Sequence, residues 1–190
     1  MRYIFKDDRT GILLHVVDKY NLNNIDIHPD WHFIEDDFED EVHLPKEVQF
    51  IAQGAFSSAR HVRKIYLHDG VMDIPKQAFT GMDALEFIRL PADLLGIPSG
   101  CFSGCTSLMK IEWPNLLMCI DPYAFYGCRN LETRIPDTVM EIGCFAFAGC
   151  KSIKHVDLNG VHYIGPFAFR GCTAELLNIP ERTRFAPPIN

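Results

Sequence analysis

From position 51 to 180 the apolar and polar positions of the chain repeat one short pattern six times. Its fixed element is an isoleucine five places ahead of a phenylalanine, with a small residue just before the ring. The isoleucines are Ile51, Ile74, Ile97, Ile120, Ile142 and Ile164; the phenylalanines are Phe56, Phe79, Phe102, Phe125, Phe147 and Phe169. The steps are 23, 23, 23, 22 and 22 residues. A fixed period in the low twenties predicts a repeat solenoid, one supersecondary unit per coil, with each coil burying its apolar side against the next.

Within a unit, glycine follows two places after the ring (Gly81, Gly104, Gly127, Gly149, Gly171), where a turn of positive φ is expected. An inner apolar residue follows at Val62, Leu85, Leu108, Leu131 or Ile153. Alternating positions then predict a short strand: Ile65 and Leu67, Ile88 and Leu90, Ile111 and Trp113, Val156 and Leu158. Proline often closes it, as at Pro91, Pro114, Pro136 and Pro180. One residue is lost around Thr133-Arg134-Ile135 and another after Leu158, which accounts for the two shorter steps.

The flanks read as caps on a single domain. A solenoid needs them, because an end coil otherwise leaves apolar side chains and strand edges in water. Residues 1–27 form the N-terminal cap, with Tyr3-Ile4-Phe5 and 12–17 as a hairpin around a polar turn, and Ile25 and Ile27 as a further extended piece. Residues 28–50 read as a degenerate repeat: Phe33 lies 23 before Phe56, and Val42, Leu44 and Pro45 hold strand positions. Six repeats fill 51–180. Residues 181–190 form a C-terminal cap, with Phe185 near the next isoleucine position and Pro187-Pro188 ending the pattern.

Composition narrows the function classes. At 47% hydrophobic and 12% aromatic the chain is not disordered, and a net charge of −7 disfavours nucleic acid as a partner. No apolar run reaches the roughly 18 residues of a membrane span, and the N-terminus lacks a signal-peptide pattern, so a cytoplasmic location is expected. A secreted protein trimmed to this segment would read the same way. Cys105, Cys128, Cys150 and Cys172 each follow a repeat phenylalanine by three, so they fill one packing position and are expected to be free, buried thiols. No metal or other cofactor is expected: no CxxC occurs, and Pro29 separates the pair His28 and His32.

Ile142-Gly143 followed by Ala146-Phe147-Ala148-Gly149-Cys150, and Leu85 followed by Ile88-Arg89-Leu90-Pro91, resemble the BspA-type leucine-rich repeat. The resemblance covers 51–180 strongly, and the hairpin leading into Val42-His43-Leu44-Pro45 looks like that family's entry. It implies a right-handed solenoid with a parallel sheet on one face and loops or short helical turns on the other. It also implies protein interaction, often as surface adhesins.

If the strand alternation holds, Lys64, Tyr66 and His68 point outward, as do Phe87 and Arg89, Lys110 and Glu112, Arg134, and then His155, Asp157 and Asn159. This face is the expected contact surface for a protein partner, with the chain itself a monomer. Tyr66, Phe87 and Arg89 are of the types enriched at binding hot spots. The alternative contact is the stretch 35–41, six acids in seven positions, which suits an inhibitor or immunity-type protein masking a basic partner. Catalysis finds little support. There is no nucleophile elbow, zinc-protease or phosphate-loop motif, and only Cys101, Cys119 and Cys144 lie off the cysteine ladder, with His155 or His162 as conceivable bases.

Overall fold

The computed structural model describes residues 2–7, 12–18, 31–36, 40–46, 48–56 and 59–185. The extended piece expected at Ile25 and Ile27 lies outside these residues, as do His28 and positions 37–39 of the acidic run.

Each coil of the solenoid has two straight sides joined by turns, and the described residues contain no helix. The longer side carries three-residue strands: β4 (Glu41–His43), β6 (Lys64–Tyr66), β7 (Phe87–Arg89) and β9 (Lys110–Glu112). They form a parallel sheet in the order β4-β6-β7-β9, with Val42, Ile65, Ile88 and Ile111 in register. A strand of period two with one apolar centre turns that centre into the core and its two neighbours out. Accordingly Ile65 and Ile88 are fully buried.

The shorter side is a second parallel sheet: β8 (Gly96–Ile97), β10 (Cys119–Ile120), β11 (Glu141–Ile142), β13 (Tyr163–Ile164) and β15 (Arg184–Phe185). Here the repeat isoleucines lie side by side, and Phe185 takes the next place beside Ile164, though its ring is 56% exposed. Between the sheets runs a column of rings. Phe56, Phe79, Phe102, Phe125 and Phe147 are all buried, and Phe169 is half-buried at the end. From Phe79 to Phe147 successive centroids are 5.2 Å apart with near-parallel planes. That spacing follows from the separation of neighbouring strands, about 4.8 Å.

The longer sheet breaks where the sequence loses a residue. Glu132–Arg134 are not a strand, and Thr133 Oγ1 instead accepts a 2.7 Å hydrogen bond from Trp113 Nε1–H. Only five steps separate the inner Leu131 from Pro136, against six between Leu85 and Pro91, so the chain has no room for the three-residue alternation. The strand resumes one coil later in β12 (His155–Asp157), paired with β14 (Glu175–Leu177) as a separate two-stranded sheet.

At the N-terminal end, β1 (Arg2–Asp7) and β2 (Ile12–Asp18) form the expected antiparallel hairpin. Leu13 of β2 pairs in parallel with Ile51 of β5 (Phe50–Ile51), extending the isoleucine ladder into the hairpin. Segment 28–50 divides between two roles. Val42 joins the solenoid, but Phe33 lies in β3 (Trp31–Asp36), antiparallel to β1 and opposite Phe5, rather than in a coil turn. The open edge of β1 takes the strand that a spacing of 23 assigns to a repeat.

Candidate interaction surface

Six of the eleven predicted contact residues share one sheet. Lys64, Tyr66, Phe87, Arg89, Lys110 and Glu112 all face away from the core across β6, β7 and β9. His43 stacks on Tyr66 with centroids 4.3 Å apart, and Tyr66 meets Phe87 at 5.3 Å. Below them a shallow cavity of about 290 Å³ is lined by Tyr66, Phe87 and Met109, flanked by Lys64, Glu86 and Lys110.

The charges around these rings are largely matched within the sheet. Lys64 Nζ lies 2.5 Å from Glu41, its register neighbour on β4. Each moves the other toward its charged form: the hydrogen bond to Lys64 lowers the Glu41 pKa, and Glu41 raises that of Lys64. Arg89 donates to the Leu67 carbonyl (2.5 Å) and to Asp69 (2.9 Å), and its Nε is 3.5 Å from Glu112. The Ala92 N–H and then Arg89 hold the Asp69 carboxyl below its usual pKa. Such exposed pairs add little stability. They fix the geometry of a face whose uncommitted groups, apart from Lys110, are aromatic and apolar.

The other predicted residues lie elsewhere. The ring of His68 is 2.9 Å from the Pro45 carbonyl oxygen through Nε2, so it ties two coils together. Arg134 is exposed but off any strand, reaching Asp137 at 3.2 Å and Asp157 at 3.7 Å. His155 and Asp157 sit beyond the sheet break, with His155 3.6 Å from Glu175; Asn159 donates its N–H to Asp157 in the following turn. Of the acidic run, Asp40 is 3.9 Å from Arg63, whose main partner is Glu86 at 2.6 Å.

A second surface was not anticipated by the strand alternation. Two places before four of the six repeat isoleucines, on the shorter side, stand Met72, Leu95, Met118 and Met140, exposed by 66%, 55%, 44% and 41%. Backbone bonds from the Met118 N–H to Leu95 and from the Met140 N–H to Met118 place three of them on successive coils. The signal was legible: an apolar residue recurs in four consecutive repeats at a position the core does not use.

The thiols are structural. Cys105, Cys128, Cys150 and Cys172 each donate S–H to the carbonyl of the phenylalanine one coil back, at 2.9–3.1 Å. All seven cysteines are free. Burial pushes the Cys105 thiol up to about 12 and drives Cys101, Cys128 and Cys150 upward as well. A buried, protonated thiol is a poor nucleophile. Iodoacetamide at pH 8 should therefore spare these four in the native protein and modify them in the denatured one; their rapid native labelling would contradict this packing. The sign of the pH dependence follows. Unfolded thiols ionise near the ordinary 9.0 while the folded Cys105 stays protonated to about 12, so its contribution to stability is intact below 9 and lost progressively above it. Among the described residues no cluster of three or more His, Cys, Asp or Glu side chains could hold a metal, and no helix is long and apolar enough to cross a membrane.

Comparison with known proteins agrees with this architecture. The family model described as the BspA type leucine rich repeat region matches residues 32–134 and 120–186, with six copies. The crystal structure of a leucine-rich repeat protein from Bacteroides ovatus is similar at 25% identity and a TM-score of 0.61, over 82% of this chain and 48% of that one. This chain thus spans about half the length of that protein. A T. pallidum leucine-rich repeat protein also matches, at 26% identity over 76% of this chain and 72% of that one, with a TM-score of 0.49. No curated protein sequence matches the chain. With the repeat model covering most of its length and the coils in register, the chain belongs to the BspA-type leucine-rich repeat family.

Proposed function

We propose that the protein is a non-catalytic binding module that holds a protein partner against the face of its longer sheet, centred on Tyr66, Phe87 and Met109. The observation that carries this reading is the His43–Tyr66–Phe87 ring run over an apolar cavity, on positions the core does not need. Folding alone would be served by any soluble side chain there. Rings beside charges mostly paired within the sheet bury apolar area on binding at little cost in stranded ions. The family's general association with protein interaction is consistent with it.

A second reading uses the other side of the coil, favoured by the Met72–Leu95–Met118–Met140 stripe, because aligned exposed apolar side chains mark contact surfaces. One experiment separates the two. A partner isolated on the wild-type protein is titrated against Tyr66→Ala/Phe87→Ala/Met109→Ala and against Met72→Ser/Leu95→Ser/Met118→Ser/Met140→Ser, each checked for an unchanged circular dichroism spectrum. Loss of roughly 100-fold in affinity is expected for the first variant, from about 3 kcal/mol of hot-spot truncation, and little change for the second. The reverse pattern would move the binding site to the methionine stripe.

A further inference from the structure

The repeat requires a left-handed backbone two places before each core phenylalanine, and glycine supplies it at Gly54 (φ +77°) and Gly100 (φ +63°). In three consecutive later coils the same place holds large aromatics: Tyr123 (φ 60°), Phe145 (φ 54°) and Phe167 (φ 58°). A bulky residue there is strained, and stability alone would favour glycine. The rings nevertheless build an ordered ladder. Tyr123 and Phe145 stack at 5.1 Å, Phe145 and Phe167 lie 5.1 Å apart, and the Arg170 guanidinium sits 5.4 Å over Phe167.

Beside the ladder is a groove of about 360 Å³, lined by Tyr126, Phe145, Arg129, Lys151 and Arg170 over the turn glycines, and no acidic side chain lines it. None of these three cations belongs to an ion pair among the described residues. On the longer sheet, by comparison, Arg63, Lys64 and Arg89 are each paired, and Lys110 is not among the described residues. The charge of the chain is also uneven: its whole excess of acids lies before Cys119, and from there on seven Lys and Arg balance seven Asp and Glu.

We infer that this groove docks an acidic peptide segment of a protein partner, with Arg129, Lys151 and Arg170 taking its carboxylates. The inference extends the protein-binding reading to a second site but depends on no residue of the longer sheet. Three unpaired cations with alkyl stems and aromatic edges suit carboxylates on a flexible backbone, since a ring's edge carries the positive part of its quadrupole. Sugars and nucleic-acid bases need free ring faces to stack on, and here neighbouring rings and Arg170 occupy those between Tyr123 and Phe167. A net charge of −7 further opposes dense polyanions at long range.

The test is fluorescence anisotropy with labelled hexaglutamate at low salt, with hexaglutamine, a heparin hexasaccharide and oligothymidylate as comparison probes. Hexaglutamate should bind, and hexaglutamine should not. Arg129→Ala/Lys151→Ala/Arg170→Ala should weaken hexaglutamate about tenfold or more, whereas Arg60→Ala/Lys76→Ala, which removes two exposed cations elsewhere, should leave it within about twofold. The triple variant should keep the melting temperature of the wild type, since none of the three is buried. Failure of hexaglutamate to bind, equal binding by the triple variant, or tighter binding of heparin or oligothymidylate would overturn the inference. A sheet-face partner bound normally by the triple variant would leave the proposed function intact in any of these cases.

Discussion

Phe125→Ala should lower the stability of the protein by about 3–5 kcal/mol, the usual cost of emptying an aromatic site in a packed core. The ring is fully buried, stacked between Phe102 and Phe147 at 5.2 Å on either side, with the Trp113 edge at 5.5 Å. Neither neighbour can move into the void, because each is fixed by its own coil's hydrogen bonds to the next. Phe56→Ala should cost less. Its ring makes one tilted packing against Phe79 at 4.9 Å, at the start of the column. Urea unfolding of both variants checks the claim, and equal midpoint shifts would contradict the column as the shared support of the array.

The second large effect lies in the backbone. A methyl group at Gly143 would come 2.4 Å from the Pro122 nitrogen and 2.7 Å from the Asp121 carbonyl carbon, both in the preceding coil. Those are main-chain atoms, so no rotamer change can relieve the clash, and the two coils must separate. Gly143→Ala should therefore destabilise by about 3 kcal/mol, the upper part of the overpacking range. Gly127→Ala offers the contrast. It has positive φ (+75°) but its nearest neighbour, Gly104 Cα, is 4.0 Å away, so the cost is backbone strain of about 1 kcal/mol. A Gly143 variant no worse than the Gly127 variant would mean that coil spacing is softer than the ladder implies.

These two cases show which parts of the fold were legible beforehand. The isoleucine and phenylalanine columns, the cysteine column and the inward face of the strands all follow from side chains that must be buried once per coil, and a repeated burial requirement leaves a repeated letter. Gly143 belongs to no such column of glycines at its own position in every unit: Pro75, Pro98 and Asp121 stand there in the three preceding coils, so nothing in the spacing marks it as a contact. The same limit hid the split of 28–50. Phe33 keeps the period but pairs with β1, because an unpaired edge is a demand of the assembled sheet and not of the local sequence.

The contact surface divides in the same way. Alternation placed Tyr66 and Phe87 outward, and they are outward; it could not show that Lys64 and Arg89 are already engaged by Glu41 and Asp69, or that His68 bonds to the preceding coil. It also assigned Arg134 to a strand that the lost residue abolishes. The methionine stripe and the Tyr123–Phe167 ladder were written in the sequence at fixed offsets from the repeat isoleucines. Burial periodicity does not reveal them, because it marks what each position hides and passes over what it leaves exposed.

The most direct test of the binding role is photo-crosslinking from defined positions. Benzoylphenylalanine replaces Phe87, Met118 or Asn130 in turn, and each protein is irradiated with its source extract. Binding on the longer sheet predicts a discrete protein adduct from position 87, suppressed by excess unlabelled wild type, and none from position 130, a turn position outside both the longer sheet and the methionine stripe. Adducts from position 118 alone would place the partner on the methionine side, and the same adduct pattern from all three positions would contradict a specific binding face.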